Sequence, residues 1–510
     1  MLKTAPFKRR LGFSFTVLLL IPIFKVHADA VTDWNEITIQ ATKGFNGTAG
    51  IGAALNSNVA TRIEAIEARA VFDAINSITH FSPAGYYYSG SNTGSAAAAA
   101  AQAAHDVILD QIPSTDAWKP TRNWVDARLS AYLAGLGVAP ADAGVQAGKD
   151  AAQAALLARQ LDNSNPGTTY GAALTPASNP GVGLWRQSNG GVGEKNFQGV
   201  PTGFDISGTP VAAAGVNFNW RDVTPFALTH RQKLELVANV PVSPQVGSPE
   251  YAQELAFVRD YGQESSTIRS EDQLAQALYY KIDAELFVNE AARIASQSRG
   301  YTLEQNAKLF ALLDSAVADA RFAAFDSKYE QKFWRPVTAI NADANGAVTN
   351  NYNAWHPLAT TPPHPSNTAG HSATGAAGFE VLRSFFGDKI LPSGGAVTLS
   401  TLPWITGTNN GTGPNHTQRF VTTFSQAQLE NGASRLYLGV HYGFDNLQGQ
   451  LLGLQVSDTI IRSNDPAAAG LKIVQTAPGS LRKIKNTLLK KPELYGYYGR
   501  STVISQSVVK

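Results

Sequence analysis

The chain has 510 residues, 44% of them apolar and 16% charged, which is enough to bury a large core and ordinary for a folded protein. Forty-one basic residues stand against 39 acidic ones, too even a balance for a chain that grips nucleic acid by charge. Cysteine is absent, which excludes disulfide staples and thiolate metal sites.

Residues 1–30 read as a secretory signal. Lys3, Lys8, Arg9 and Arg10 give a basic start, residues 11–24 an apolar stretch too short to span a bilayer, and Ala28-Asp29-Ala30 a small-residue cleavage site. The expectation is export, to periplasm or medium. Without that segment 36 basic and 38 acidic residues remain, a net charge of −2, so the basic isoelectric point carries no functional message. No later run is apolar enough to cross a membrane. Met1 is the only methionine, so the mature chain holds neither oxidisable sulfur residue. That suits exposure to a strong oxidant, although compositional drift leaves the same signature.

From residue 31 onward the pattern is mainly helical. Apolar residues recur at helical spacing over 59–78, Ser95 stands as N-cap before an alanine-rich helix, and 142–162 reads as another. Residues 164–250, rich in Gly, Pro, Ser and Asn, read as long surface connections. Helices are expected over 272–296 and over 302–335, the second opened by a Thr302/Gln305 capping box and closed by Pro336. After a loop at 341–368, a helix over 371–386, a Gly/Asn-rich loop at 403–415 and helices near 425–438 and 441–462 complete the pattern. Strand signals are sparse. The expected division is signal peptide 1–30, N-terminal helical region 31–260, catalytic helical bundle 261–465 and basic tail 466–510, the tail read as a solvated segment.

Three clusters carry chemistry. Lys328 and Arg335 are seven apart, which on one helix places two cations on one face; alone, such a pair is usually only solvated. Gly370 and His371 fall at an expected helix start, where free N–H groups and the helix dipole favour an anion; a lone histidine there is more often structural. In SRLYLGVHYGFDN, Asp445 lies four residues after His441 and can fix its tautomer. Arg435 is six residues before His441, about 120° away on an ideal helix, so a break near Gly439 is needed for the two to converge.

Taken together, Lys328-x6-Arg335-Pro, Gly370-His371 and Ser-Arg435-x3-Gly-x-His441-x3-Asp445 resemble the three-part signature shared by vanadium-dependent haloperoxidases and the phosphatidic acid phosphatase type 2 and bacterial acid phosphatase superfamily. The resemblance covers roughly 265–465, and flanking stretches such as FAAFDSKYEQKFWRPVTAI resemble the soluble bacterial haloperoxidase branch. It implies an all-α fold of paired helical bundles, of the vanadium chloroperoxidase and acid phosphatase type, and vanadate as cofactor. It implies an oxyanion clamp of Lys328, Arg335, Arg435 and the Gly370 N–H, with His441 as the metal ligand and Asp445 behind it. His371 takes the acid/base role, for which an imidazole is suited. Asp283 matches an acidic residue that pairs with the second arginine in some members.

The sequence departs from the family pattern at Ala369, where a serine that bonds an oxyanion oxygen is usual. Loss of one such bond costs roughly 1.5–3 kcal/mol, unless Ser366 or Thr368 replaces it. His364, seven residues before His371, resembles the second histidine of the algal bromoperoxidases, and Phe325 stands where other members carry tryptophan or arginine. These two positions point to bromide or iodide over chloride. The implied partners are hydrogen peroxide, halide and an unidentified organic acceptor, with no nucleic acid; self-association stays open. Two other readings remain at this point: an acid phosphatase working through a phosphohistidine at His441, and a non-catalytic oxyanion-binding homologue, which Ala369 motivates.

Overall fold

A computed structural model of the chain describes residues 29–45, 54–164, 178–188, 215–348, 354–400 and 418–468. The signal segment up to residue 28, the 403–415 loop and nearly all of the basic tail lie outside the described residues. Helix accounts for 61% of the structure, so the all-α expectation holds.

The N-terminal half is built from α1 (Ala30–Thr42), α2 (Ser57–Thr79), α3 (Ala96–Gln111), α4 (Lys119–Leu136) and α5 (Ala143–Arg159). Asp29, Asn56, Ser95 and Asp142 cap α1, α2, α3 and α5 through their side chains, each satisfying N–H groups that the helix itself leaves open. The alanine run of α3 is buried against α2 and α5, its small side chains allowing close helix contact. Between 164 and 250 the expected connections contain a helix, α6 (His230–Ala238), with its own Thr229/Gln232 capping box. Next comes α7 (Pro249–Tyr261).

Residues 272–296, read as one helix, form two: α8 (Glu271–Tyr279) and α9 (Ala284–Gln297). The break at 280–283 frees backbone carbonyls that a continuous helix would have used internally. Helix α10 (Leu303–Gln331) opens with the expected Thr302/Gln305 box and is buried along almost its whole length, packed on α2 on one side and on the C-terminal helices on the other. Its end corrects the sequence reading. Lys332 turns left-handed at φ 50°, four residues before Pro336. Arg335 is extended at ψ 156° as the cap of a separate short helix, α11 (Pro336–Asn341), because a residue before proline is pushed out of the helical region. Lys328 and Arg335 therefore do not share a helix face.

The C-terminal half adds α12 (Gly370–Phe386), the antiparallel pair β1 (Val397–Ser400) and β2 (Gln418–Val421), α13 (Phe424–Tyr437) and α14 (Gly443–Ile461). Helices α12 and α14 pack against each other closely: a Cβ at Gly453 would stand 2.1 Å from the Ala373 carbonyl oxygen. One hydrophobic core runs through both halves, from Ala30 to Ala468. The break expected near Gly439 is present, with α13 ending at Tyr437, Gly439 at φ 77° and α14 starting at Gly443.

Candidate active site

Lys328 is the only basic residue in the last turn of α10 and is fully buried. Its ammonium donates to the carbonyls of Pro365 at 3.0 Å and Ser366 at 2.9 Å, so the 364–368 loop folds over it. Arg335, released from helix geometry by Pro336, spreads its guanidinium across the same loop. It donates to the His364 carbonyl at 2.9 Å and the Val440 carbonyl at 2.6 Å, and contacts His364 Nδ1 at 2.9 Å and His441 Nε2 at 3.0 Å. An arginine donates only, so both imidazole nitrogens are acceptors.

That fixes the His441 tautomer. Nδ1–H donates to Asp445 Oδ2 at 2.9 Å, and the Nε2 lone pair faces the cationic pocket. Asp445 Oδ2 also accepts from the Ser366 hydroxyl at 2.5 Å and the Tyr442 N–H at 3.2 Å. The His441–Asp445 contact is made, but not across a helix face. His441 precedes α14, and the Asp445 side chain turns back over the helix start. Glu254 of α7, buried beneath, accepts the Gly443 N–H at 2.7 Å and anchors that start from the other side.

The break between α8 and α9 supplies the facing wall. His371, second residue of α12, contacts the Ile282 carbonyl through Nε2 at 3.0 Å, which leaves its lone pair on Nδ1. Arg435, in the last turn of α13, donates to the Tyr280 carbonyl at 3.1 Å, while its Nε is buried without a hydrogen-bond partner. Asn431, one turn before Arg435, donates to the His371 carbonyl at 2.9 Å. At Gly370 an added Cβ would meet only Lys328 Cε, at 3.9 Å, so open space lies between the α12 start and the lysine. Asp283 does not form an ion pair with Arg435; its partner is Lys43 of the N-terminal half, at 2.6 Å. The Phe325 ring lies 5.0 Å from that of His364, centre to centre.

The departure at Ala369 stands out in the geometry. Ala369 is fully buried as the cap residue of α12 and offers no side-chain cap. The Ser366 hydroxyl is committed to Asp445 and does not substitute for the missing one. The Thr368 hydroxyl is buried without a partner.

Electrostatically the pocket is starved of anions. Burial first, then the Arg335 guanidinium, push the Lys328 ammonium well below the usual lysine range. Burial brings Arg335 down to about 10, and burial with Arg335 beside it brings Arg435 down to about 9. His364, His371 and His441 are all driven well below the usual histidine range, by burial above all and then by neighbouring cations. Among the described residues no carboxylate lies within ion-pair distance of Lys328, Arg335 or Arg435. Burial lifts Asp445 itself to about 6, against the pull of Ser366, Lys328 and Arg335. A tetrahedral oxyanion supplies what is lacking: negative charge and acceptors for an orphaned Arg435 Nε. Vanadate or phosphate fits this donor set, with Lys328, Arg335, Arg435 and the Gly370 N–H to hold its oxygens and His441 Nε2 to bond the central atom.

Sequence reasoning missed the backbone half of the site. The carbonyls of Tyr280, Ile282, Pro365, Ser366 and Val440 carry no residue-type signal, and Lys43 and Glu254 look like ordinary charged residues on their helices. The Ser366–Asp445 link is the one omission with a signal, since Ser366 lies inside the motif loop.

The family profile for the VCPO second helical-bundle domain matches residues 308–467. Vanadium chloroperoxidase of Curvularia inaequalis is 28% identical over 230 residues, 36% of this chain and 37% of that protein. The match thus spans little more than a third of the curated relative's length. Among solved structures, the crystal structure of the first bacterial vanadium-dependent iodoperoxidase superposes with a TM-score of 0.61 at 19% identity, over 87% of this chain and 97% of that one. A holo-type bacterial vanadium-dependent chloroperoxidase gives 0.60 at 17% identity, over 82% and 94%. At such identities the structures speak for the fold alone.

Proposed function

We propose, from the premise that the chain belongs to the vanadium haloperoxidase family, that it is an exported enzyme oxidising halide with hydrogen peroxide, using vanadate held in the pocket just described. The observation that carries the reading is the grouping of three buried cations, with no carboxylate of the described residues in ion-pair range, around a histidine whose Nε2 lone pair points among them.

Lys328, Arg335 and Arg435 neutralise the oxyanion, each charge-assisted contact contributing about 1.5–3 kcal/mol. Asp445 holds His441 with its lone pair on Nε2, as ligand. Vanadate so bound supplies a Lewis acid that activates peroxide toward halide without a change in oxidation state. His371, neutral because burial and Arg435 disfavour its charged form, accepts a proton from incoming peroxide at Nδ1. His364 contacts Arg335 and packs against the Phe325 ring, so the two aromatic groups set the polarity that the halide meets; an imidazole there in place of a second phenyl ring supports bromide or iodide over chloride.

The test is to load the purified mature chain with orthovanadate and follow bromination by peroxide beside hydrolysis of a phosphate ester. Vanadate-dependent bromination is the expected outcome. Hydrolysis inhibited by vanadate would assign the pocket to a phosphatase with His441 as nucleophile, and uptake of neither anion would leave only the non-catalytic reading.

A further inference from the structure

The loop 364–368 serves three groups of the pocket at once. Its carbonyls take Lys328 and Arg335, and its Ser366 hydroxyl takes Asp445. Ser366, Asn367 and Thr368 are fully buried outside any helix, so the loop needs firm ties to keep its place. Among the described residues, its hydrogen bonds to other segments run to the groups it serves, to the Phe333 carbonyl from the Ser366 N–H at 2.9 Å, and through the Asn367 amide. Asn367 Nδ2 donates to Gln331 Oε1 at 2.7 Å, to Gln448 Oε1 at 2.7 Å and to Ser243 Oγ at 3.0 Å. The partners fix which way the amide faces. Gln331 Oε1 accepts the Ser243 N–H at 3.0 Å and Gln331 Nε2 donates to the Pro241 carbonyl at 3.1 Å, so Asn367 must turn its N–H groups toward Gln331.

Gln331 is the last residue of α10, one turn beyond Lys328, and Gln448 lies in α14, one turn beyond Asp445. One buried amide thus bridges the end of the helix that carries the lysine and the start of the helix that carries the carboxylate behind His441. Ser243 ties the same amide to the segment leading into α7, whose Glu254 anchors the α14 start. Asn367 Oδ1 is buried without a hydrogen-bond partner, so the fold uses the donors of this side chain and not its acceptor. We propose that Asn367 is a positioning residue for oxyanion binding: its amide fixes the spacing of α10, the 364–368 loop and α14, and with it the distance between the Lys328 ammonium and the His441 ring. It acts through Lys328, Ser366 and Asp445. This inference rests on the three-cation pocket as the oxyanion site.

The experiment is calorimetric titration of inorganic phosphate into the full mature chain and into N367L and D162A, with the melting midpoint of each recorded. N367L keeps the outline of the side chain and removes its donors. D162A breaks the tie that Asp162 makes with Arg62 and Arg159 in the N-terminal half, and so lowers stability away from the pocket. N367L is expected to bind phosphate about tenfold more weakly, the loss of one charge-assisted contact through misplacement. D162A is expected to melt earlier yet to bind phosphate within about threefold of wild type, because distant sites act independently. A crystal structure of N367L should show Lys328 off the Pro365 or Ser366 carbonyl, or Ser366 off Asp445. Unchanged affinity in N367L, an equal loss in D162A, or a loop that keeps all of those bonds in N367L overturns the proposal. Should N367L fail to fold, Q331M/Q448M, which leaves Asn367 in place and removes both amide acceptors, is read in the same way. Wild-type protein that binds neither phosphate nor orthovanadate overturns the oxyanion site and this inference together; wild-type binding with no effect of N367L overturns this inference only.

Discussion

His441 derives its chemistry from its neighbours. Asp445 takes the Nδ1 proton, Ser366 and the Tyr442 N–H hold Asp445 in place, and Arg335 faces Nε2. His441→Ala should abolish vanadate-dependent turnover, and an active variant would remove the basis of the site. Asp445→Asn should leave the ring in place but release its tautomer, lowering vanadate affinity or turnover by about 10–100-fold, as loss of such outer partners does. Ala369→Ser tests the one missing hydroxyl: orthovanadate binding should tighten about tenfold, and weaker binding would show that the α12 cap has no room for it. At this scale the sequence was informative wherever a side chain does the work. Lys328, Arg335, Gly370, His371, Arg435, His441 and Asp445 are brought together in space. It was silent where a carbonyl does the work, and it misjudged Asp283, because nothing local in sequence announces that Lys43, 240 residues earlier, will claim that carboxylate.

The elements act mainly through where they stop. Pro336 and left-handed Lys332 end α10 early and turn Arg335 toward His441, whereas the sequence reading continued the helix to Arg335 because residue-by-residue propensity does not reveal a left-handed turn. The single helix expected over 272–296 broke at Tyr280–Asp283, where the freed carbonyls hold Arg435 and His371. Between α13 and α14, Gly439 is irreplaceable on two counts: its φ of 77° and the 2.4 Å that would separate a Cβ from the Gly262 carbonyl oxygen. Gly439→Ala should therefore lower the melting midpoint and displace His441, with destabilisation of about 1–3 kcal/mol from the backbone alone. Glu254, which anchors the start of α14, is pushed up to about 8, chiefly by burial and then by Asp445. A carboxyl raised in the folded state stabilises it below the unfolded pKa near 4.5, and that contribution is lost as pH rises toward 8. Glu254→Gln keeps the acceptor without the charge, so its melting midpoint relative to wild type should rise steadily between pH 5 and pH 8. A gap that stays constant or shrinks would contradict the assignment.

For the whole molecule, the helical pattern of the sequence and the family resemblance carried the fold class, while the continuity of the core through both halves was not legible, because contacts such as α2 with α10 join distant segments. The pocket's uncompensated positive charge has a global consequence. An anion that binds only the folded state should stabilise it by about 2.7 kcal/mol at a hundredfold excess over Kd, and raise the melting midpoint by several degrees. Arg435→Ala should lose most of that gain. Under the proposed export, Asp29, which caps α1 and accepts from Asn306 at 2.8 Å, makes processing that retains it suit the structure better than cleavage after Ala30. N-terminal sequencing of the secreted chain should begin at or before Asp29. The most direct test of the account is a crystal structure of the protein soaked with orthovanadate. Density for a tetrahedral or five-coordinate anion bonded to His441 Nε2, with oxygens on Lys328, Arg335 and Arg435, is the expected result; a pocket without the anion, or an anion bound elsewhere, would contradict it.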